Sequence, residues 1–196
     1  MQFMTAMTQR VKVLACAMLY TLSSALTAPD VANAQEIDVN VQSVDGEFRT
    51  TVTMFVRASQ QRVWEVITDF ERAPEFMRDL HVSKILSRSG DKVRVMQKDR
   101  VRFGPFSIAM DSVRDLRLTE PVSIEARLIS GSMKKYEAKT ELKPAPGGTQ
   151  MTYRSAAVAG SALAAFASDS LVASQTEERF RQIRDEILRR ETVAAR

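Results

Sequence analysis

The chain has 196 residues, 44% hydrophobic and 27% charged, an ordinary globular composition with enough apolar material for one core. Its net charge of +4 comes from basic and acidic residues that alternate along most of the length, so no clustered basic face argues for nucleic acid as a partner. One histidine and one cysteine leave no framework for a His/Cys metal centre or a disulfide.

At the N-terminus, Arg10 and Lys12 precede an apolar run over 13–22, and Ala32-Asn33-Ala34 is an A-x-A cleavage site. Residues 1–34 therefore read as a secretory signal peptide, with Gln35 the first mature residue. The run is shorter than the about 20 apolar residues of a bilayer span. Cys16 lies inside it, so the mature chain is expected to have no thiol and to be periplasmic.

Ile37, Val39, Val41 and Val44 follow, and Asp45-Gly46 is a strong hairpin signal. Residues 35–46 read as a strand and hairpin extension to a domain over 47–191, with 192–196 a tail. In the second strand Phe48, Thr50, Val52, Met54 and Val56 alternate with Arg49, Thr51, Thr53, Phe55 and Arg57, and Phe55 suggests cover on both faces. Ser59 is a natural N-cap. Val63, Val66, Ile67 and Phe70 then make one helical stripe with Trp64 beside it. Pro74 is expected to end this helix near Arg72, with a second short turn over 75–80.

The stretch Ala58-Ser59-Gln60-Gln61-Arg62-Val63-Trp64-Glu65-Val66-Ile67-Thr68-Asp69-Phe70, followed by Pro74-Glu75-Phe76, resembles the opening of the START-like polyketide cyclase/dehydrase and lipid-transport superfamily. The resemblance extends over roughly 48–191 and implies an α+β helix-grip fold. In that fold a curved antiparallel sheet of about seven strands wraps a long C-terminal helix, with two short helices after the first strand.

Beyond residue 80 the period changes to two, and Gly/Pro turns separate strands expected over 82–88, 92–103, 106–118, 122–130, 134–143 and 149–158. The pattern pairs Phe103 with Phe106, Gln97 with Ser112, Leu118 with Val122, Ala126 with Ala138, and Leu142 with Met151. Val95, Val101, Ile108, Met110, Leu116, Ile124, Leu128, Leu142 and Met151 then share one face. Charged residues such as Arg94, Lys98, Glu125, Lys139 and Glu141 share the other, so a one-residue slip would bury charge. One long helix is expected over 162–190, capped by Ser161, with Phe180, Ile183 and Ile187 as its stripe. Its first half is rich in small residues.

No catalytic constellation is apparent. His81 has no obvious partner and reads as an exposed structural residue. Glu177/Glu178 and Asp185/Glu186 read as an ion-paired, solvated helix face. Instead, Gln97, Asp99, Ser112, Arg114, Tyr136, Thr140 and Tyr153 fall on the apolar-parity face. Buried polar groups need partners, so either these sit wet at the open end of the sheet or they line a cavity. Small side chains on the facing helix either leave a gap or pack close to the sheet. Trp64 and Phe166 read as core.

The candidate cavity is accordingly Gln97, Met110, Ser112, Arg114, Tyr136, Thr140, Tyr153, Leu163 and Phe166, with Ser170 facing it and Ala165 and Ser168 placed to fill it if enlarged. The leading expectation is a periplasmic binding or transport protein without cofactor or metal. The resemblance implies a lipid, isoprenoid or quinone-like ligand and leaves room for transient membrane contact. The alternatives are a polyketide cyclase/aromatase-type enzyme and an interaction module without a ligand. Oligomeric state is left open.

Overall fold

The computed structural model describes residues 37–194; the signal-peptide expectation, Cys16 and the last two residues of the tail lie outside this range. The hairpin strands are β1 (Ile37–Val44) and β2 (Glu47–Val56). Asp45 and Gly46 both take positive φ, 52° and 76°, the geometry a two-residue hairpin turn requires. Next come α1 (Gln60–Ile67) and α2 (Ala73–Phe76). A meander follows: β3 (Leu80–Ser89), β4 (Lys92–Phe103), β5 (Phe106–Thr119), β6 (Ser123–Gly131), β7 (Met133–Ala145) and β8 (Gly148–Ala159). The chain ends with α3 (Ser161–Ala164) and α4 (Asp169–Ala194).

All eight strands form one antiparallel sheet in the order β1-β2-β8-β7-β6-β5-β4-β3. This is the helix-grip fold, with one strand more than expected. The difference is β1, which pairs with β2 along its whole length and packs against α4. Residues 37–44 are therefore an edge strand of the sheet itself.

Ser59 caps α1 by accepting from the Arg62 N–H at 3.1 Å. The helix ends earlier than Pro74 would dictate, because the Thr68 hydroxyl turns back to donate to the Trp64 carbonyl at 2.7 Å. Pro74 instead sits in the first turn of α2, where its missing N–H is harmless. α2 ends at Phe76, where Met77 turns extended, so the short helix lies earlier than the expected 75–80.

Most of the expected register is present. Gln97 lies opposite Ser112, Ala126 opposite Ala138, and Leu142 opposite Met151. The β5–β6 pair differs: Leu118 faces Ile124, so Val122 is not in the strand. Its N–H closes a turn onto the Thr119 carbonyl at 2.6 Å, and its carbonyl accepts from the Leu142 N–H at 2.8 Å. From Arg114 to Thr119 the offset is two residues, so these side chains keep their face, and an irregularity between Val113 and Arg114 shifts the pairing by one more.

The expected single C-terminal helix is broken between Ala164 and Asp169. Gly160, not Ser161, is the cap of α3. Ser168 Oγ accepts from the Leu171 N–H at 3.2 Å and starts α4 afresh. A serine side chain that competes with the backbone for these donors favours a helix start over a helix interior.

The core gathers Val52, Met54 and Val56 from β2, Val63, Trp64 and Val66 from α1, and Phe180 and Ile187 from α4. Val93, Val95, Leu116, Ile124, Leu142 and Met151 complete it from the meander. Phe55, on the outer face, is half-buried over Gly148, where an added Cβ would come within 2.9 Å of the ring.

Candidate functional site

Between the concave face of the meander and α4 lies a cavity of about 360 Å³. Period-two alternation delivers its floor. Val95, Gln97, Asp99 and Val101 come from β4, Met110, Ser112, Arg114 and Leu116 from β5, and Ile124, Ala126 and Leu128 from β6. Tyr136, Ala138 and Thr140 come from β7, and Met151 and Tyr153 from β8. Leu163 and Ala167 flank the helix break, α4 adds Leu171, Val172, Thr176, Arg179 and Ile183, and Ile67, Phe70, Phe76 and Met77 close the side near α1 and α2.

Of the residues expected there, Gln97, Met110, Ser112, Arg114, Tyr136, Thr140, Tyr153 and Leu163 line this space. Phe166 does not: it lies in the break between α3 and α4 and is 51% exposed, neither core nor lining. Ala165, Ser168 and Ser170 are exposed as well. The small-residue run therefore does not create the gap. The paired alanines Ala126 and Ala138 on the sheet, opposite larger α4 side chains, help to leave it open.

The polar residues form a connected set. Gln97 Nε2 donates to Ser83 Oγ at 3.0 Å. The Gln97 carbonyl oxygen accepts from Arg114 Nη2. The Arg114 guanidinium lies over the Tyr136 ring, 5.5 Å from its centroid. The Tyr136 and Tyr153 hydroxyls are 3.0 Å apart, a bond that uses one of their two phenolic hydrogens. The Tyr153 ring packs tilted against Phe180 at 5.3 Å. Burial first, then the charge a neighbouring Tyr136 would carry, hold the Tyr153 phenol well above its ordinary value of 10.0, so it stays protonated.

Asp99 and Arg179, which also line the cavity, pair at 2.9 Å. Burial works against the Arg179 charge, but Asp99 outweighs it and holds the guanidinium above its ordinary value. Arg179 escaped the sequence reading because its neighbours Glu177, Glu178 and Arg181 mark an exposed helix face. Counting back in helical steps from Ile183 to Arg179, and from Phe180 to Thr176 and Val172, would have found it.

Glu186 was expected on the solvated face and is instead 7% exposed. Arg189 and Arg190 both donate to it, at 2.7 and 2.6 Å. Arg190 also pairs with Asp69 at 2.8 Å and lies over the Phe76 ring at 5.8 Å, tying the end of α4 to two residues of the cavity wall. The Arg189 hydrogen bond, then that of Arg190, hold the Glu186 carboxyl down to about 2 against the pull of burial.

His81 is exposed. Among the described residues no group of three or more His, Cys, Asp or Glu is placed to hold a metal, and no helix is long and apolar enough to cross a membrane.

The family model described as polyketide cyclase/dehydrase and lipid transport matches residues 56–186. The chain belongs to this family. No curated protein matches the sequence. Among solved structures, a STAR-related lipid transfer protein from Xanthomonas axonopodis is 16% identical, with a TM-score of 0.66, over 79% of this chain and 95% of that one. A START superfamily protein from Mycobacterium smegmatis is 15% identical, with a TM-score of 0.58, over 72% and 97% of the two chains. The Zhui aromatase/cyclase from a Streptomyces species is 18% identical, with a TM-score of 0.56, over 74% and 95%. At these identities the likeness is one of fold. Within the polyketide cyclase/dehydrase and lipid transport family, members bind hydrophobic ligands or lipids.

Proposed function

We infer that this chain, after export to the periplasm, binds and carries a hydrophobic small molecule, of lipid, isoprenoid or quinone-like character, between its sheet and α4. The observation that carries this reading is a cavity of about 360 Å³ with mostly apolar walls and a few convergent polar groups, within the about 300–1,000 Å³ usual for small-molecule sites. An interaction module without a ligand would gain more stability by packing this space solid. Phe106, at the β4–β5 turn, is 67% exposed and Phe166 is 51% exposed. The topology puts both at the sheet end nearest Met110 and Leu163, which suits brief contact with a membrane during loading or release. Export rests on the charged, apolar and A-x-A segments in that order.

A cyclase/aromatase-type enzyme is the second reading, favoured by the Tyr136–Tyr153 hydroxyl pair and the Arg114 guanidinium on one cavity wall. Against it, a phenol held protonated is a poor base near neutral pH.

Titration with the neutral fluorophore N-phenyl-1-naphthylamine is expected to saturate, and native mass spectrometry of protein purified from its own source to retain an apolar adduct. A folded protein showing neither would sink the carrier reading. Turnover of a polyketide substrate would favour the enzyme.

A further inference from the structure

Among the described residues, the cavity holds a buried positive charge with no counter-ion, that of Arg114. Among the described residues, each carboxylate on the cavity wall already has a partner. Asp99 pairs with Arg179, Asp69 with Arg190, and Asp111 accepts from the Ser132 hydroxyl at 2.6 Å. Arg114 has none. Its Nη2 donates to the neutral Gln97, one face stacks on Tyr136, and its buried Nε–H has no hydrogen-bond partner. Gln97 cannot do more, because its amide is committed to Ser83. A guanidinium in this setting has lost water without gaining an opposite charge, which is costly unless something else supplies one.

We propose that the cavity selects amphiphiles with a single carboxylate head, seated against the Arg114 guanidinium, with the tail lying along Val95, Leu116, Ile124, Leu128 and Met151. This rests on the carrier reading above and adds the head-group class to it. A neutral carbonyl or hydroxyl head would offer an acceptor but leave the charge unbalanced. Arg100 also lines the cavity but is exposed to solvent; a dianionic phosphate would overcompensate the buried Arg114 guanidinium and leave net negative charge among apolar walls. A carboxylate balances it, and its planar pair of oxygens matches the guanidinium fork. The Tyr136–Tyr153 hydroxyl pair lies on the same wall.

The test compares heads on one tail: cis-parinaric acid, its methyl ester and the matching alcohol, each titrated into the purified protein by fluorescence. The acid is expected to bind on the order of tenfold more tightly than either neutral analogue. Arg114→Gln is expected to weaken the acid far more than the ester and so remove that preference, and Arg114→Lys to retain part of it. A monoalkyl phosphate of similar length is expected to bind more weakly than the acid. Equal affinity for acid, ester and alcohol overturns the carboxylate assignment and leaves the carrier reading standing. Tighter binding of the phosphate overturns it too, and an acid preference that survives in folded Arg114→Gln overturns the role of Arg114. Failure of all three parinaroyl probes and of the neutral fluorophore to bind folded protein overturns both readings. Should Arg114→Gln not fold, the wild-type comparison of acid with ester still decides.

Discussion

Trp64 is 4% exposed and packed with Val63, Val66 and Phe180 in the core, on no wall of the cavity. Trp64→Ala should therefore cost about 3–5 kcal/mol, read as a fall in denaturant midpoint, without changing ligand affinity in the protein that remains folded. Glu186 makes a different demand. Its carboxyl is held at about 2 in the folded state against 4.5 when free. A depressed carboxylate contributes stability that is complete above its unfolded value and disappears as pH falls through the folded one. The contribution should be about 2 kcal/mol after allowing for the exposure of Arg189, lost between roughly pH 4.5 and pH 2. Glu186→Gln should be less stable at neutral pH and show a flatter loss of stability across that window. A variant as stable as wild type at pH 7 would contradict the burial and pairing described. Glu186 was illegible from sequence because it sits in a run of charged residues, Arg184 to Arg190, whose pattern reads as solvated. Only the approach of α1 and α2 to the end of α4 buries this carboxylate beside the core residue Ile187.

The helix break matters more than the small residues beside it. Because Leu163 and Ala167 line the cavity while Ala165, Phe166 and Ser168 do not, enlarging the small helix residues would reach solvent rather than the gap. The sheet offers the better site. Ala126 and Ala138 are cross-strand neighbours that both face inward. Ala126→Phe should fill the space and abolish saturable binding of N-phenyl-1-naphthylamine. Filling a void should cost less than the about 1–3 kcal/mol of overpacking a solid core, so the melting temperature should move little. Unfolding of this variant would mean that the space beside Ala126 is already packed. The period-two pattern identified these alanines as inward-facing and could go no further. The height of α4 above β6 and β7 is set by side chains on several elements at once, and no local pattern encodes it.

At the scale of the whole chain, the proposed export predicts that N-terminal sequencing of protein recovered from the periplasm begins at Gln35. A lipid-modified start at Cys16 would contradict both the cleavage site and a free carrier. The mature chain would then open almost directly into β1, which closes one edge of the sheet against α4. By itself the sequence determined the strands, most of their turns, the inward parity of Gln97, Ser112, Arg114, Tyr136, Thr140 and Tyr153, and the family opening around Trp64. It could do so because a period of two, a helix cap and a hairpin turn depend on neighbours in the chain. The two-residue offset of β5 on β6 survived as a local error because it preserves parity. Only the tertiary structure decided that the inward polar residues meet around one open space, that Arg179 has a carboxylate while Arg114 has none, and that Glu186 is buried. Each of these depends on distances between segments far apart in sequence, and charge pairing and cavity volume change within a few ångströms of such a distance while the sequence pattern stays the same.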